Sequence, residues 1–108
     1  MSTVTAKQLG QAAMSNLATL YTVGGSTTTI LKSFDICNST AQQILVRVFL
    51  VPSAGSAGAA NALLYDYPLP AHGIFGWEGE QVLATGATIQ VYGNAAGATI
   101  TASGVEIT

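Results

Sequence analysis

The sequence predicts an all-β fold, a single small antiparallel β-sandwich of jelly-roll type that follows an N-terminal arm. Apolar and polar residues alternate in seven or eight short segments, which is the pattern of strands with one buried face. Turn signals rich in Gly, Asn and Ser separate these segments, and no long stretch has helical periodicity. Because 108 residues is the size of one domain, we divide the chain into an arm, residues 1–16, and a sandwich domain, residues 17–108.

Two structures are open for the arm. The stretch AKQLGQAAM could form two turns of helix, but Gly10 lies in its middle and no apolar stripe runs along it. An extended segment that becomes ordered only against a partner is the equal alternative.

The first half of the sandwich domain contains three predicted strands. Residues 17–23 and 28–37 are rich in Thr and β-branched side chains, and the GGS between them predicts a hairpin turn. The segment QILVRVFLV, residues 43–51, is apolar on both faces and predicts a central strand, or one whose outer face meets another subunit. Residues 53–60 contain only Ser, Ala and Gly, and we interpret them as a surface loop between strands rather than a linker between domains.

The second half contains the remaining strands. We place them at residues 62–69, 73–79, 81–94 and 98–108. Ile89 and Val91 are expected to point inward, with Thr88, Gln90 and Tyr92 outward. In the last segment Gly104 predicts a β-bulge.

The charge content is unusually low and excludes several kinds of partner. Only 7% of the residues are charged, 49% are hydrophobic, and the net charge is −2. The three basic residues, Lys7, Lys32 and Arg47, are far apart in sequence, so no cationic patch for nucleic acid is expected. No apolar run is long enough for a membrane span, and the N-terminus lacks the pattern of a secretion signal, which favours synthesis in a cytosol. A surface with so few charges is more typical of a protein that is bound to other proteins than of a free monomer.

No residue pattern predicts catalysis, a cofactor or a metal site. His72 is expected in a turn, and Cys37, the single cysteine, is expected to be a buried and unreactive thiol. Glu78 and Glu80 could approach Ca²⁺ together with Asp66, although no metal-loop spacing accompanies them, and an ion pair of Glu78 with Lys32 or Arg47 is the simpler reading. We therefore expect no enzyme activity.

The aromatic residues are the candidates for binding. Tyr65 and Tyr67 alternate around Asp66 and are expected to share one face of a strand, and Phe75 and Trp77 follow in the next segment. Tyr and Trp are enriched at interface hot spots, but half-buried strand positions would explain these residues equally well.

Several phrases resemble small structural proteins of tailed bacteriophage particles. They are KQLGQAA, LYTV, TTTILKSFDICNST, VFLVPSAGSAGAANALLYDYPLP, TGATIQVYG and TASGVEIT, and they cover most of the chain from about Lys7. The chain departs from the family's pattern at GGS, where a Pro and a polar turn are common, and at HGIFGWEG, which is more aromatic than expected.

The resemblance implies a β-sandwich on the capsid exterior that acts as a cement, or decoration, protein. The expected partners are the major capsid protein and further copies of the chain itself, as a homo-oligomer such as a trimer around local threefold positions. An arm with Lys7, Gln8 and Leu9 would reach a neighbouring subunit, and Tyr65, Tyr67, Phe75 and Trp77 complete the candidate interface. The alternative is a tail or fibre module that contacts the host or binds glycans.

Overall fold

The computed structural model describes residues 2–108, so Met1 lies outside the described residues. These residues form eight strands, and a short 3-10 helix at Ala59–Asn61 precedes the fifth. The strands are β1 (Val4–Met14), β2 (Ala18–Thr22), β3 (Thr28–Asn38), β4 (Ile44–Val51), β5 (Ala62–Leu69), β6 (Ile74–Leu83), β7 (Thr88–Gly93) and β8 (Ala98–Ile107).

Two antiparallel four-stranded sheets form a sandwich of 49 × 25 × 18 Å. Sheet A has the strand order β1-β8-β3-β6, and sheet B has the order β2-β7-β4-β5. The pairs β1 with β8, β2 with β7, β3 with β6 and β4 with β5 are nested, as if one long hairpin had been wrapped around the core. This is the jelly-roll arrangement of an eight-stranded double sheet, which confirms the predicted fold class.

The core lies between the inner faces of the two sheets, where alternate residues of every strand point inward. The predicted orientation of β7 is confirmed, because Ile89 and Val91 are 1% and 0% exposed. The prediction of a central strand is also confirmed, since β4 lies between β7 and β5. Its inward residues Val46 and Val48 are fully buried.

The segment treated as an arm is strand β1 at the edge of sheet A. It pairs with β8 from Val4 opposite Ile107 to Met14 opposite Ala98. The helix considered for this segment is not formed, because Leu9 and Met14, five residues apart, both belong to the core. An extended chain that runs along β8 can bury both side chains and satisfy its backbone hydrogen bonds at the same time.

Two further sequence predictions are corrected. Strands β2 and β3 lie in different sheets, so GGS is not a hairpin turn but a connection that crosses from sheet B to sheet A. Strand β6 continues through Gly79 to Leu83, and the turn before β7 lies at residues 84–87. Local turn residues predict a reversal of the chain, but they do not specify which strand pairs with which.

The Ser/Ala/Gly run is a loop within the domain, as predicted. It connects β4 to β5, which are hydrogen-bonded neighbours. Asn61 orders the loop, since its side-chain amide donates to the Ser56 carbonyl at 2.9 Å and its carbonyl accepts from the Gly58 backbone at 3.1 Å. Two backbone–side chain bonds within one short segment explain why a sequence without bulky residues is nevertheless fixed in place.

The β-bulge predicted at Gly104 is not in β8 but in the two strands beside it. Leu9 of β1 is an extra residue opposite the step from Ala102 to Ser103, and Lys32 of β3 is an extra residue opposite the step from Ser103 to Gly104. A Cβ atom at position 104 would collide with the carbonyl oxygen of Ile30. Glycine is therefore required where two bulged strands approach the same point of β8.

Candidate functional site

The residues considered for chemistry are not brought together. His72 lies in the β5–β6 turn with a left-handed φ of 53°, which confirms the predicted turn position. Cys37 is exposed on β3, so the prediction of a buried thiol is wrong; it lies on the outward face of the strand, between the buried Ile36 and Asn38. Within residues 2–108 no group of three or more His, Cys, Asp or Glu side chains is placed to hold a metal ion.

The carboxylates pair differently from the expected Glu78 contact. Lys32 bonds to Glu80 at 2.7 Å, and Arg47 bonds to Asp66 at 2.6 Å. Glu78 lies instead opposite Ser33 in the β3–β6 pairing. Lys32 is the extra residue of a β-bulge, which breaks the regular alternation of β3. Its ion pair therefore forms with Glu80 and not with Glu78.

Three of the predicted interface residues close one edge of the core. Strands β5 and β6 are edge strands of the two sheets, and Tyr67 of β5 meets Phe75 of β6 with ring centroids 4.7 Å apart. Trp77 stacks on the buried Phe34 at 5.4 Å. These contacts account for the aromatic character of HGIFGWEG without a partner, and a further role of these residues in an interface stays a prediction.

Tyr65 does not share a face with Tyr67, so that prediction is wrong. Tyr67 lies opposite Val46 and Leu64 lies opposite Val48, which leaves both Tyr65 and Asp66 opposite the single residue Arg47. This is a bulge, and Asp66 adopts a left-handed φ of 51° within it. The extra residue turns Tyr67 to the core and Tyr65 to the outer face of sheet B.

The outer face of sheet B thereby gains a tyrosine–arginine cluster, which consists of Arg47, Tyr65, Asp66 and Tyr92. The guanidinium carbon of Arg47 lies 4.2 Å from the ring centroid of Tyr65 and 4.9 Å from that of Tyr92. Its Nε and Nη2 atoms donate to the two carboxylate oxygens of Asp66. This hydrogen-bonded guanidinium lowers the pKa of Asp66 and keeps it ionised.

The outer face of sheet A carries an apolar patch at one end. Cross-strand pairing places Ala6, Val105, Ile30 and Val82 in one row across all four strands. Val4 and Ile107 pair on the same face two residues further along. The apolar patch is therefore the set Val4, Ala6, Ile30, Val82, Val105 and Ile107.

The patch faces solvent, because the alternating residues of the same strands fill the core. Thr29, Leu31 and Leu83 are 0%, 0% and 5% exposed, whereas Val4 and Val82 are 65% and 69% exposed. At this end of sheet A the side chains on the outer face are therefore apolar and in contact with solvent. In a sandwich the outer face is normally polar, and a contiguous apolar area on a monomer commonly marks an interaction site.

The middle of the same face is polar, because Gln11, Thr101 and Asp35 pair across β1, β8 and β3. Thr99 lies in the next row, opposite Ala13 and Cys37. Ile74 is the exposed aliphatic residue there, at 72%. The contrast within one face shows that the apolar character is local rather than a property of the composition.

The predicted interface residues of β1 lie beside the patch. Lys7 contacts the carboxylate of Glu106 at 3.5 Å, Gln8 is exposed, and Leu9 is buried in the core at 7% exposure. Leu9 is thus held within its own chain, and the interface role of Lys7 and Gln8 stays a prediction.

Sequence reasoning did not find the apolar patch. Its members are spread from Val4 to Ile107, and Val4 and Ala6 lie in the segment that was treated as an arm rather than as a strand. The available signal was that β3 and β6 each carry two aliphatic residues at adjacent positions, Ile30 with Leu31 and Val82 with Leu83. Adjacent residues in a strand point to opposite faces, so one of two adjacent aliphatic residues enters the core and the other lies on the outer face of the sheet.

The fold is shared with chains from two solved structures of infectious bursal disease virus. For the Gx strain the TM-score is 0.54 at 13% identity, and the alignment covers 98% of this chain and 32% of the viral chain. For the T13 viral particle the TM-score is 0.55 at 9% identity, with coverage of 98% and 30%. The chain thus spans about a third of the length of the chains that it matches. At these identities the likeness is one of fold, that of a β-sandwich found in viral particles.

Comparisons with protein-family models and with curated proteins found no match. Within residues 2–108 no helix has the length and apolar character needed to cross a membrane.

Proposed function

We propose that the protein is a virion structural protein, a cement protein that binds the outer surface of a bacteriophage capsid and stabilises the shell. The observation that carries this proposal is the apolar patch, an exposed docking surface built on the outside of a jelly-roll sandwich. The fold it shares with chains of viral particles and the sequence phrases that resemble tailed-phage structural proteins support the same class.

The proposed mechanism is preferential binding to the assembled shell. A protein that binds the shell and not its dissociated subunits shifts the equilibrium towards assembly by mass action. Docking across the joint between major capsid subunits gives this preference, because the complete surface exists only after assembly. No nucleic acid, membrane, cofactor or catalytic step takes part in it.

The size of the patch explains why many copies would be needed. One row of side chains across four strands about 4.8 Å apart, with a second row across two of them, gives an area on the order of 200 Å². A stable pairwise interface buries about 800 Å² on each partner, so one patch binds weakly. A homo-oligomer, for example a trimer at a local threefold position, makes the second and third contacts intramolecular and converts weak binding into stable attachment.

The test compares two exposed aliphatic residues of the same strand. Val82 lies in the patch and Ile74 lies at the opposite end of the same face, and their exposures are 69% and 72%. Particles stripped of the protein are mixed with wild type, Val82→Lys or Ile74→Lys, and bound protein and the temperature of shell disruption are measured. We expect wild type and Ile74→Lys to bind and restore stability, and Val82→Lys to bind at least about tenfold more weakly because it would bury a charge.

Two outcomes would overturn the proposal. Equal binding by the two variants would exclude the patch as the docking surface. Antibody labelling of intact particles is the second measurement, and signal confined to the tail, rather than spread over the head, would assign the protein to the tail or fibre alternative.

A further inference from the structure

We propose that the tyrosine–arginine cluster on the outer face of sheet B is a binding site for one ring of a neutral hexopyranose saccharide. The cluster lies on the sheet opposite the apolar patch, so a copy docked through sheet A would present it outward. The site itself is a property of the single chain, and only this outward presentation rests on the proposed function.

The first argument is that the cluster is rigid before any ligand arrives. The guanidinium of Arg47 is bonded to both oxygens of Asp66, at 2.6 and 3.2 Å, and its carbon lies within 5 Å of two ring centroids. The ring of Phe49, which is 3% exposed, meets Tyr65 edge to face at 6.3 Å. A ligand that binds such a preformed surface loses little affinity to the ordering of side chains.

The second argument comes from the backbone. Asp66 is a residue with a Cβ atom in the left-handed region, at a bulge that leaves both Tyr65 and Asp66 opposite the single residue Arg47. A regular β5 would turn one of these two side chains away from Arg47. Backbone strain and bulges recur where a side chain must be re-aimed for binding, and here the strained residue supplies the carboxylate of the cluster.

The third argument is the chemistry that remains available. Tyr65 is 48% exposed, so much of its ring is open although Arg47 contacts it. Aromatic ring faces carry partial negative charge and attract the slightly positive C–H groups on the apolar side of a sugar ring. Beside the ring, Asp66 can accept hydrogen bonds from two adjacent sugar hydroxyls. Within residues 2–108 the Nη1 nitrogen of Arg47 has no hydrogen-bond acceptor and can donate to a sugar oxygen.

The charge and the size of the tyrosine–arginine cluster favour a neutral sugar ring over an anionic ligand or a protein partner. The Arg47–Asp66 pair is electrically neutral, which disfavours an anionic ligand. The aromatic area is limited to two tyrosines, and Gln90 and Thr88 continue the same face as polar residues. A protein partner would need a larger apolar centre, whereas one sugar ring matches both the size and the mixed character of this surface.

The experiment uses saturation-transfer NMR on the isolated protein with methyl glycosides of glucose, galactose, mannose and N-acetylglucosamine, and with glucuronate as the anionic control. We expect transfer from protein to the C–H protons on one face of at least one neutral sugar, with dissociation constants in the millimolar range. Tyr65→Ala should weaken this binding about tenfold or abolish it, because the stacking surface is lost. Arg47→Lys should weaken it as well, because a lysine cannot keep both the stacked and the bidentate contacts.

Val82→Lys is the matched control, because it alters the opposite sheet and should leave sugar binding unchanged. The reverse comparison separates the two proposals: Tyr65→Ala should still bind stripped particles. The sugar-site proposal is overturned by absence of transfer from every neutral sugar, by equal transfer in Tyr65→Ala and wild type, by preferential binding of glucuronate, or by loss of particle binding in Tyr65→Ala. The last result would identify the cluster as a protein interface.

Discussion

Asn38 connects two turns at one end of the sandwich. It is 1% exposed, and its side-chain nitrogen donates to the carbonyl groups of Gln42 at 2.7 Å and Pro70 at 3.1 Å. Its side-chain oxygen accepts from the backbone and the hydroxyl group of Thr40. The β3–β4 and β5–β6 turns are therefore held by one amide, and the Asn-Ser-Thr tripeptide has a structural role in this fold.

Replacement of Asn38 should destabilise the protein strongly. In Asn38→Asp the carboxylate would face carbonyl oxygens that have lost their donor, and we expect a loss of about 2–4 kcal/mol in the free energy of unfolding. Urea denaturation measures the loss. Gln11→Ala, which removes an exposed hydrogen bond to Thr101, is the control and should change stability by less than about 0.5 kcal/mol. Similar stability of both variants would show that the amide is dispensable.

Tyr21 and Glu106 join the two sheets at the other end. The hydroxyl of Tyr21 in sheet B donates to Glu106 of sheet A at 2.5 Å and accepts from Thr29 at 2.6 Å. The hydrogen bond from Tyr21 lowers the pKa of Glu106 below its usual value of 4.5. Burial, followed by the contact with Glu106, raises the pKa of Tyr21 above 10.0.

This contact predicts a specific pH dependence. A carboxyl group whose pKa is lower in the folded state contributes stability above its unfolded pKa, and the contribution is lost as the pH falls through the folded value. We therefore expect part of the stability to disappear below about pH 4.5. In Tyr21→Phe that part should be smaller, because only Lys7 would still stabilise the carboxylate, and the pKa of Glu106, followed by NMR of its side-chain carboxyl carbon, should rise. An unchanged pKa in Tyr21→Phe would contradict the assignment.

At the scale of the strands, sheet A is shaped by aligned bulges around Gly104. Leu9 and Lys32 are extra residues on either side of β8, and the side chain of Leu9 packs above the position where residue 104 has no Cβ. A row of irregularities across neighbouring strands bends the sheet locally. The bulge in β1 also directs the side chain of Leu9 to the core, so the bulge and the burial of Leu9 depend on each other.

Gly104→Ala should disrupt this arrangement. The added methyl group would collide with the backbone oxygen of Ile30, which cannot move away without breaking the β3–β8 pairing, and we expect a loss of about 2–3 kcal/mol. Gly58→Ala is the matched control, because a Cβ at position 58 meets no atom within 4 Å and the backbone there is extended. Thermal unfolding of the two variants provides the comparison, and equal midpoints would show that the sheet tolerates a side chain at position 104.

At the scale of the whole molecule, the nested pairing brings the two ends of the chain together. Strand β1 pairs with β8 along its full length, and the Thr3 and Thr108 backbones exchange two hydrogen bonds of 2.9 Å. Every strand of sheet A therefore pairs with partners that are distant in sequence. Such a fold forms only when most of the chain is present.

Removal of β1 tests whether the sandwich is independent of its first residues. A chain that begins at Ser15 would lose Leu9 and Met14 from the core, each worth about 2–5 kcal/mol, and would expose the edge of β8. Since total stabilities are about 5–15 kcal/mol, we expect this chain to lose cooperative unfolding and to aggregate. A chain that lacks only Ser2 and Thr3 should unfold cooperatively. Native-like circular dichroism of the longer deletion would instead support a separable arm.

The sequence predicted the fold class because alternation and turn chemistry are local properties. The inward positions of β7 and the central position of β4 followed from residues within a few positions of one another, whereas the bulge predicted at Gly104 lies in the neighbouring strands β1 and β3. The same reasoning failed for GGS between β2 and β3, since a turn signal does not reveal that the chain crosses from one sheet to the other. It also failed for Tyr65 and Tyr67, because the bulge at Asp66 breaks the alternation on which their shared face was based.

The amino-acid sequence by itself determined that this protein is a small all-β sandwich with few charges and no pattern typical of an enzyme. Only the tertiary structure decided which residues meet on its surfaces. The apolar patch joins Ala6 to Val82 through three strand pairings, and the tyrosine–arginine cluster joins Tyr92 to Tyr65 across β4. Periodicity specifies the face of each strand, but the order and register of strands distant in sequence depend on the simultaneous packing of the whole core.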